Sequence, residues 1–305
     1  MFPGIVRVCP FEAVSVLGVP VGTAAANSAS LAKSLSLAKK KLLAVRQLDT
    51  HVAFALTKCC LSGGVAGYYA RNVEPSSEVM EVYRDFDTAV WETVTHVCNL
   101  PAVPDGVLRS TVALPTSLGG LGLRRVADVA PIAFMASALG AGRQMATWPR
   151  QPPVDPAPAA VLASLFANLP LSSCAPSIRA FMAGEPIASG VRPQRSWTGF
   201  LDLELQRQVL SSSSEADRAR LSSCSAAHAS AYLVPKAGAA RKDSWYSPSE
   251  FVVLIRHRLG LPVAASEAKC TICHDLNADV LGRHSLCCRH GLERKDLHNV
   301  FRNEL

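Results

Sequence analysis

Residues Ser77 to Leu100 read SEVMEVYRDFDTAVWETVTHVCNL, and the spacing inside this stretch sets the fold class. Val79, Val82, Phe86, Val90, Val94 and Val97 recur at steps of three and four residues. Steps averaging near 3.6 place these side chains on one stripe of an α-helix. Ser76 or Ser77 can cap that helix with a side-chain oxygen. Glu78 and Glu81 fall in its first turn, where acids suit the positive end of the helix dipole.

The same period extends upstream. Leu31, Leu35, Leu42, Val45, Leu48, Val52 and Leu56 predict one helix over about residues 30–60, stopped by Gly63-Gly64. Lys39, Lys40, Lys41, Arg46 and Lys58 decorate it. Further back, the Val-rich run Val14 to Gly22 predicts a short strand and turn with no strand partner before it.

Downstream, Leu114 to Leu123 is a glycine-rich loop, and a helix is expected from about Val126 to Leu139. The loop has no Gly-Lys-Ser/Thr ending, so it is expected to pack between helices and not to cradle phosphate. Residues 147–158 are Pro-rich and mark a linker. Helices are then expected over about 200–210, 215–233 and 247–259. The last opens with the cap-like Ser247-Pro248-Ser249-Glu250 and carries Phe251, Leu254, Ile255, Arg258 and Leu259 at helical spacing. The chain is therefore expected to be mainly α.

Composition agrees with a folded chain. Of 305 residues, 49% are hydrophobic and 18% charged, enough to build a large core. The net charge of +7 suits contact with nucleic acid or another acidic surface. Met1-Phe2-Pro3-Gly4 does not begin a signal peptide, and no run approaches the ~20 apolar residues of a membrane span. No membrane association is expected, and the location is expected to be intracellular, nuclear or cytoplasmic.

Ten cysteines are present, and the densest group lies near the end. Cys270, Cys273, His284 and Cys288 follow the spacing C-x2-C-x10-H-x3-C. Each pair can offer two donors to one ion, and thiolate with imidazole is the donor set of a tetrahedral zinc site. Cys287 can replace Cys288, and His274, His290 or His298 can also serve. A closed four-ligand site would be structural. The vicinal pairs Cys59-Cys60 and Cys287-Cys288 lack the C-x-x-C spacing of a redox motif, and no Ser/His/Asp order stands out.

Taken in order, these landmarks resemble the C-terminal part of a non-LTR-retrotransposon-type reverse transcriptase. Val16-Leu17-Gly18-Val19-Pro20-Val21-Gly22 is similar to the segment that closes the palm. Leu48-Asp49-Thr50 through Tyr68-Tyr69-Ala70-Arg71-Asn72-Val73 resembles the helical thumb. Phe86-Asp87, Leu114-Pro115, Gly119-Gly120-Leu121-Gly122-Leu123 and Ala136-Ser137-Ala138 are similar to its continuation. Ser230 to Pro235 and Phe251 to Leu259 resemble the stretch leading into the zinc motif.

The resemblance implies a thumb-like helical domain over residues 1–146, a Pro/Ala/Ser-rich linker over 147–195, a helical connection over 196–260 and a zinc-binding module over 261–305. It favours Cys288 as fourth ligand and aligns His298 with the start of a following nuclease-like region. It implies RNA or DNA as partner, gripped by Lys39, Lys40, Lys41, Arg46 and Arg71, and a palm domain or protein partner over the thumb face. Two paired aspartates hold the polymerase metals in that family, and this sequence has no Asp-Asp pair. Neither polymerase nor nuclease activity is expected of this chain alone. The alternative is a zinc-stabilised helical protein-interaction module with no nucleic-acid role.

Overall fold

Two amphipathic helices form the centre. α1 (Ala24–Val45) buries Leu31, Leu35, Ala38, Leu42 and Val45 along one stripe. α4 (Ser77–Val97) buries Val79, Tyr83, Phe86, Val90, Val94 and Val97 against it, and Ser76 caps it by accepting from the Val79 N–H. The computed structural model describes residues 13–102, 106–145, 193–234, 246–274, 277–284 and 288, and it is mainly α-helical. Among the described residues, no helix is long and apolar enough to cross a membrane. Most of the expected 147–195 linker lies outside the described residues.

The single helix expected over 30–60 is two. Arg46, Gln47 and Leu48 make tight i to i−3 turns, and Asp49 takes an extended conformation before α2 (Thr50–Leu56). This break resets the helical phase. Leu48 and Leu56 consequently face solvent, while Ala53 and Phe54 take the core positions. Gly63-Gly64 does not end the second helix either. A π-helical segment (Thr57–Ser62) carries the chain into α3 (Gly63–Asn72). Glycine weakens a helix by about 1 kcal/mol. Here packing outweighs that cost: Ala66 and Ala70 are buried on α3, against a helix that itself buries Ala130 and Ala133.

That helix is α6 (Val126–Met145), which follows α5 (Gly106–Ala113), a 3-10 turn (Thr116–Leu118) and the glycine-rich loop. The loop packs between helices as expected. A Cβ on Gly120 would lie 2.2 Å from the Leu114 carbonyl oxygen and 2.4 Å from that of Thr111, so only glycine fits.

Asp87 on α4 anchors the start of α6. Its carboxylate accepts from the Val126 N–H at 2.7 Å and the Ala127 N–H at 2.9 Å. Burial nevertheless pushes its pKa up to about 6. Between pH ~4 and ~6 the folded chain therefore holds a proton that the unfolded chain has lost, and stability falls as pH rises through that window. The unfolding free energy of the native chain, measured relative to Asp87→Asn, should drop by roughly 2–3 kcal/mol from pH 4 to pH 7. A difference that stays flat with pH would rule this out.

α7 (Pro193–Ser211), α8 (Glu215–Cys224), a 3-10 turn (Ala231–Leu233) and α9 (Pro248–Leu259) complete the helices. Phe251, Ile255 and Leu259 join the same core as Leu31 and Phe86. The Ser247–Glu250 capping box is present at the start of α9. The helix expected over 215–233 ends at Cys224: the Ala226 N–H turns to the Ser223 carbonyl three residues back, and a guanidinium donates to the Cys224 carbonyl. That guanidinium belongs to Arg258, which is only 2% exposed. It also donates to the carbonyls of Gly120, Ala229 and Thr116 at 3.0–3.1 Å.

The run Val14–Gly22 is a hairpin and not a lone strand. β1 (Val14–Val16) pairs antiparallel with β2 (Val19–Val21), with Val16 opposite Val19. Leu17 and Gly18, both at positive φ (51° and 82°), make the tight turn. The Tyr68 hydroxyl donates to the Leu17 carbonyl at 2.6 Å. Near the other end, β3 (Ala268–Lys269) pairs antiparallel with β4 (Asn277–Ala278).

Candidate functional site

The segment after α9 buries little of its apolar material. Of residues 261–274 and 277–284, only Cys270 is buried, and Cys288 is buried beside it. Backbone bonds shape it. The Val263 and Ala264 N–H groups donate to the Val280 carbonyl at 2.7 and 3.1 Å. The β3–β4 pair brings residues 268–269 against 277–278. Between them the chain turns sharply, closed by the His274 N–H on the Cys270 carbonyl at 3.0 Å.

This turn places Cys270 and Cys273 side by side. The Ile272 N–H points at the Cys270 sulfur at 3.4 Å. Backbone N–H groups of Cys273 and Ile272 hold the Cys270 thiol below its ordinary pKa, which favours the thiolate that a metal requires. Asp279 positions the second half. Its carboxylate accepts from the Leu281 N–H at 3.0 Å and the His284 N–H at 2.9 Å, and these bonds keep it ionised. Gly282, at φ 71°, turns the chain so that His284 faces Cys273.

The result is a four-donor cluster. Cys270, Cys273, His284 and Cys288 bring their ligand atoms within 4.8 Å of one another. The Cys270 and Cys288 sulfurs are 3.9 Å apart, and the Cys273 sulfur is 3.4 Å from His284 Nε2. Tetrahedral bonds of ~2.3 Å to sulfur and ~2.0 Å to nitrogen put neighbouring donors roughly 3.5–3.8 Å apart. The cluster therefore fits one metal ion. His274 contributes backbone to the turn and is not among the four donors. Cys287, His290 and His298 lie outside the described residues. Asp279, which the spacing did not reveal, is the residue that orients the His284 half.

The basic residues expected to grip nucleic acid do not form one patch. Lys39 pairs with Asp85, and Arg46 contacts Glu92 at 3.5 Å and Thr93 at 3.2 Å, so α4 neutralises both. Lys40 and Lys41 are exposed on α1 and make no ion pair among the described residues. Arg71 is elsewhere, on α3, where its Nε donates to Gln194 of α7 at 3.1 Å. It lines a cleft with Lys58, Arg124, Arg125 and Arg195. Lys58 donates to the Leu121 carbonyl at 2.8 Å, and burial lowers its pKa to about 8. A clue to this second group stood in the sequence as Arg124-Arg125 directly after the glycine-rich loop.

No family model, curated protein or solved structure matches the chain.

Proposed function

We propose that this chain is a nucleic-acid-binding protein of the retroelement reverse-transcriptase type, built on a helical scaffold and closed by one structural zinc ion. The zinc part is supported by Cys270, Cys273, His284 and Cys288 bringing their ligand atoms within 4.8 Å of one another, and the retroelement part by the ordered sequence landmarks that precede them. Three thiolates and an imidazole are a zinc donor set, and four protein ligands leave no position for a reacting water. The zinc would fix a loop that buries little of its apolar material, and the chain's work would be binding.

The positive surplus supports nucleic acid as the partner. Among the described residues, Lys40 and Lys41 make no ion pair, unlike Lys39 and Arg46. Binding of labelled single-stranded RNA or DNA should weaken steeply with salt as counterions are released. Lys40→Gln/Lys41→Gln should shallow the slope of log affinity against log salt by roughly 1.4, about 0.7 per phosphate contact. A salt-insensitive interaction, or none at low salt, would refute the nucleic-acid role.

One observation favours the alternative of a protein-interaction module. Leu37 and Leu43 on the outer side of α1 are 59% and 56% exposed. A protein partner covering that face would account for them. Gel shifts at low and moderate salt separate the two roles.

A further inference from the structure

The cleft lined by α3, α6 and α7 has features that the α1 lysines lack. It has a volume of about 660 Å³ and, among the described residues, presents Lys58, Arg71, Arg124, Arg125 and Arg195 against a single carboxylate, Asp202. That carboxylate is already occupied: Arg124 grips it bidentately at 2.9 and 2.5 Å. Arg125 turns to Asp128 outside the cleft. Arg195 is exposed and has no partner among the described residues, and Arg71 has only the neutral amide of Gln194. The cleft thus keeps an unbalanced positive charge at Lys58, Arg71 and Arg195.

The walls narrow the choice of ligand. Among the described residues no aromatic side chain lines the cleft, so these walls offer neither stacking for bases nor the aromatic anchors typical of peptide sites. Gly63, Gly67 and Gly122 line it instead and leave room for close approach of a ligand chain. Guanidinium forks match phosphate oxygens. Resting on the nucleic-acid reading above, we propose that this cleft grips the phosphodiester backbone of a nucleic-acid strand without reading its bases.

The test uses the full zinc-loaded chain and a labelled single-stranded RNA of ~15 nucleotides, in uridine-only and mixed sequence. Arg71 and Arg195 are exposed, so Arg71→Gln/Arg195→Gln should fold normally. It should shallow the salt slope by roughly 1.4 and weaken both RNAs alike. The charge-matched control is Arg84→Gln/Arg218→Gln, at exposed positions that do not line the cleft. An equal effect from both variants would overturn the cleft and leave the nucleic-acid role standing. Absence of RNA binding by the native chain would overturn both. A Glu-rich peptide of matched charge that binds the cleft more tightly than RNA would also overturn the proposal.

Discussion

Arg258→Met should lower the unfolding free energy by about 3–5 kcal/mol, the scale for removing a buried charge from its partners. Arg258 is buried, and its guanidinium joins four carbonyls from different parts of the chain: Thr116, Gly120, Cys224 and Ala229. Thr116 and Cys224 lie in or end helical turns, where orphan carbonyls carry partial negative charge. Carbonyl dipoles therefore meet the charge, and among the described residues it forms no ion pair with a carboxylate. Without the guanidinium the Gly120, Cys224 and Ala229 carbonyls lose this donor, while Thr116 keeps the Gly119 N–H at 3.2 Å. Arg258→Lys should rescue little, because one ammonium cannot reproduce the planar fork. Denaturant titration checks this, and a loss below ~1 kcal/mol for Arg258→Met would contradict it.

Removing the metal should act just as strongly, but locally. Among its described residues the loop after α9 buries only Cys270 and Cys288, so the metal bonds would supply most of its folding free energy, on the order of 10 kcal/mol in small zinc modules. A chelator, or Cys273→Ser, should abolish the hydrogen-exchange protection of the Val263 and Ala264 amides that bond to Val280. Amides of α1 and α4 belong to the separate helical core and should keep theirs. Unchanged protection at Val263 and Ala264 after chelation would show that the loop stands without metal.

What the sequence made legible follows physical locality. The α4 stripe and the Ser247–Glu250 box are set by neighbours within a few residues, and both stand as expected. The Cys and His spacing was legible for the same reason, since each ligand pair is close in sequence. The break at residues 46–49 was not, because Leu48 and Leu56 continue the period although the helix does not. The end of α8 was not legible either: the chain tightens there into i to i−3 turns, against Arg258, which is distant in sequence. The basic cleft was hidden likewise: Arg71 and Arg195 meet only through the packing of α3 and α7 with α6. The pairing of Lys39 with Asp85 was equally non-local.

If Cys270, Cys273, His284 and Cys288 hold one zinc ion, native mass spectrometry of the purified chain will show it. The mass should exceed that of the bare chain by one zinc ion. The increment should disappear on chelation at neutral pH and be missing in Cys273→Ala. A native chain that carries no metal, with the thiols of Cys270, Cys273 and Cys288 freely alkylated, would contradict the account.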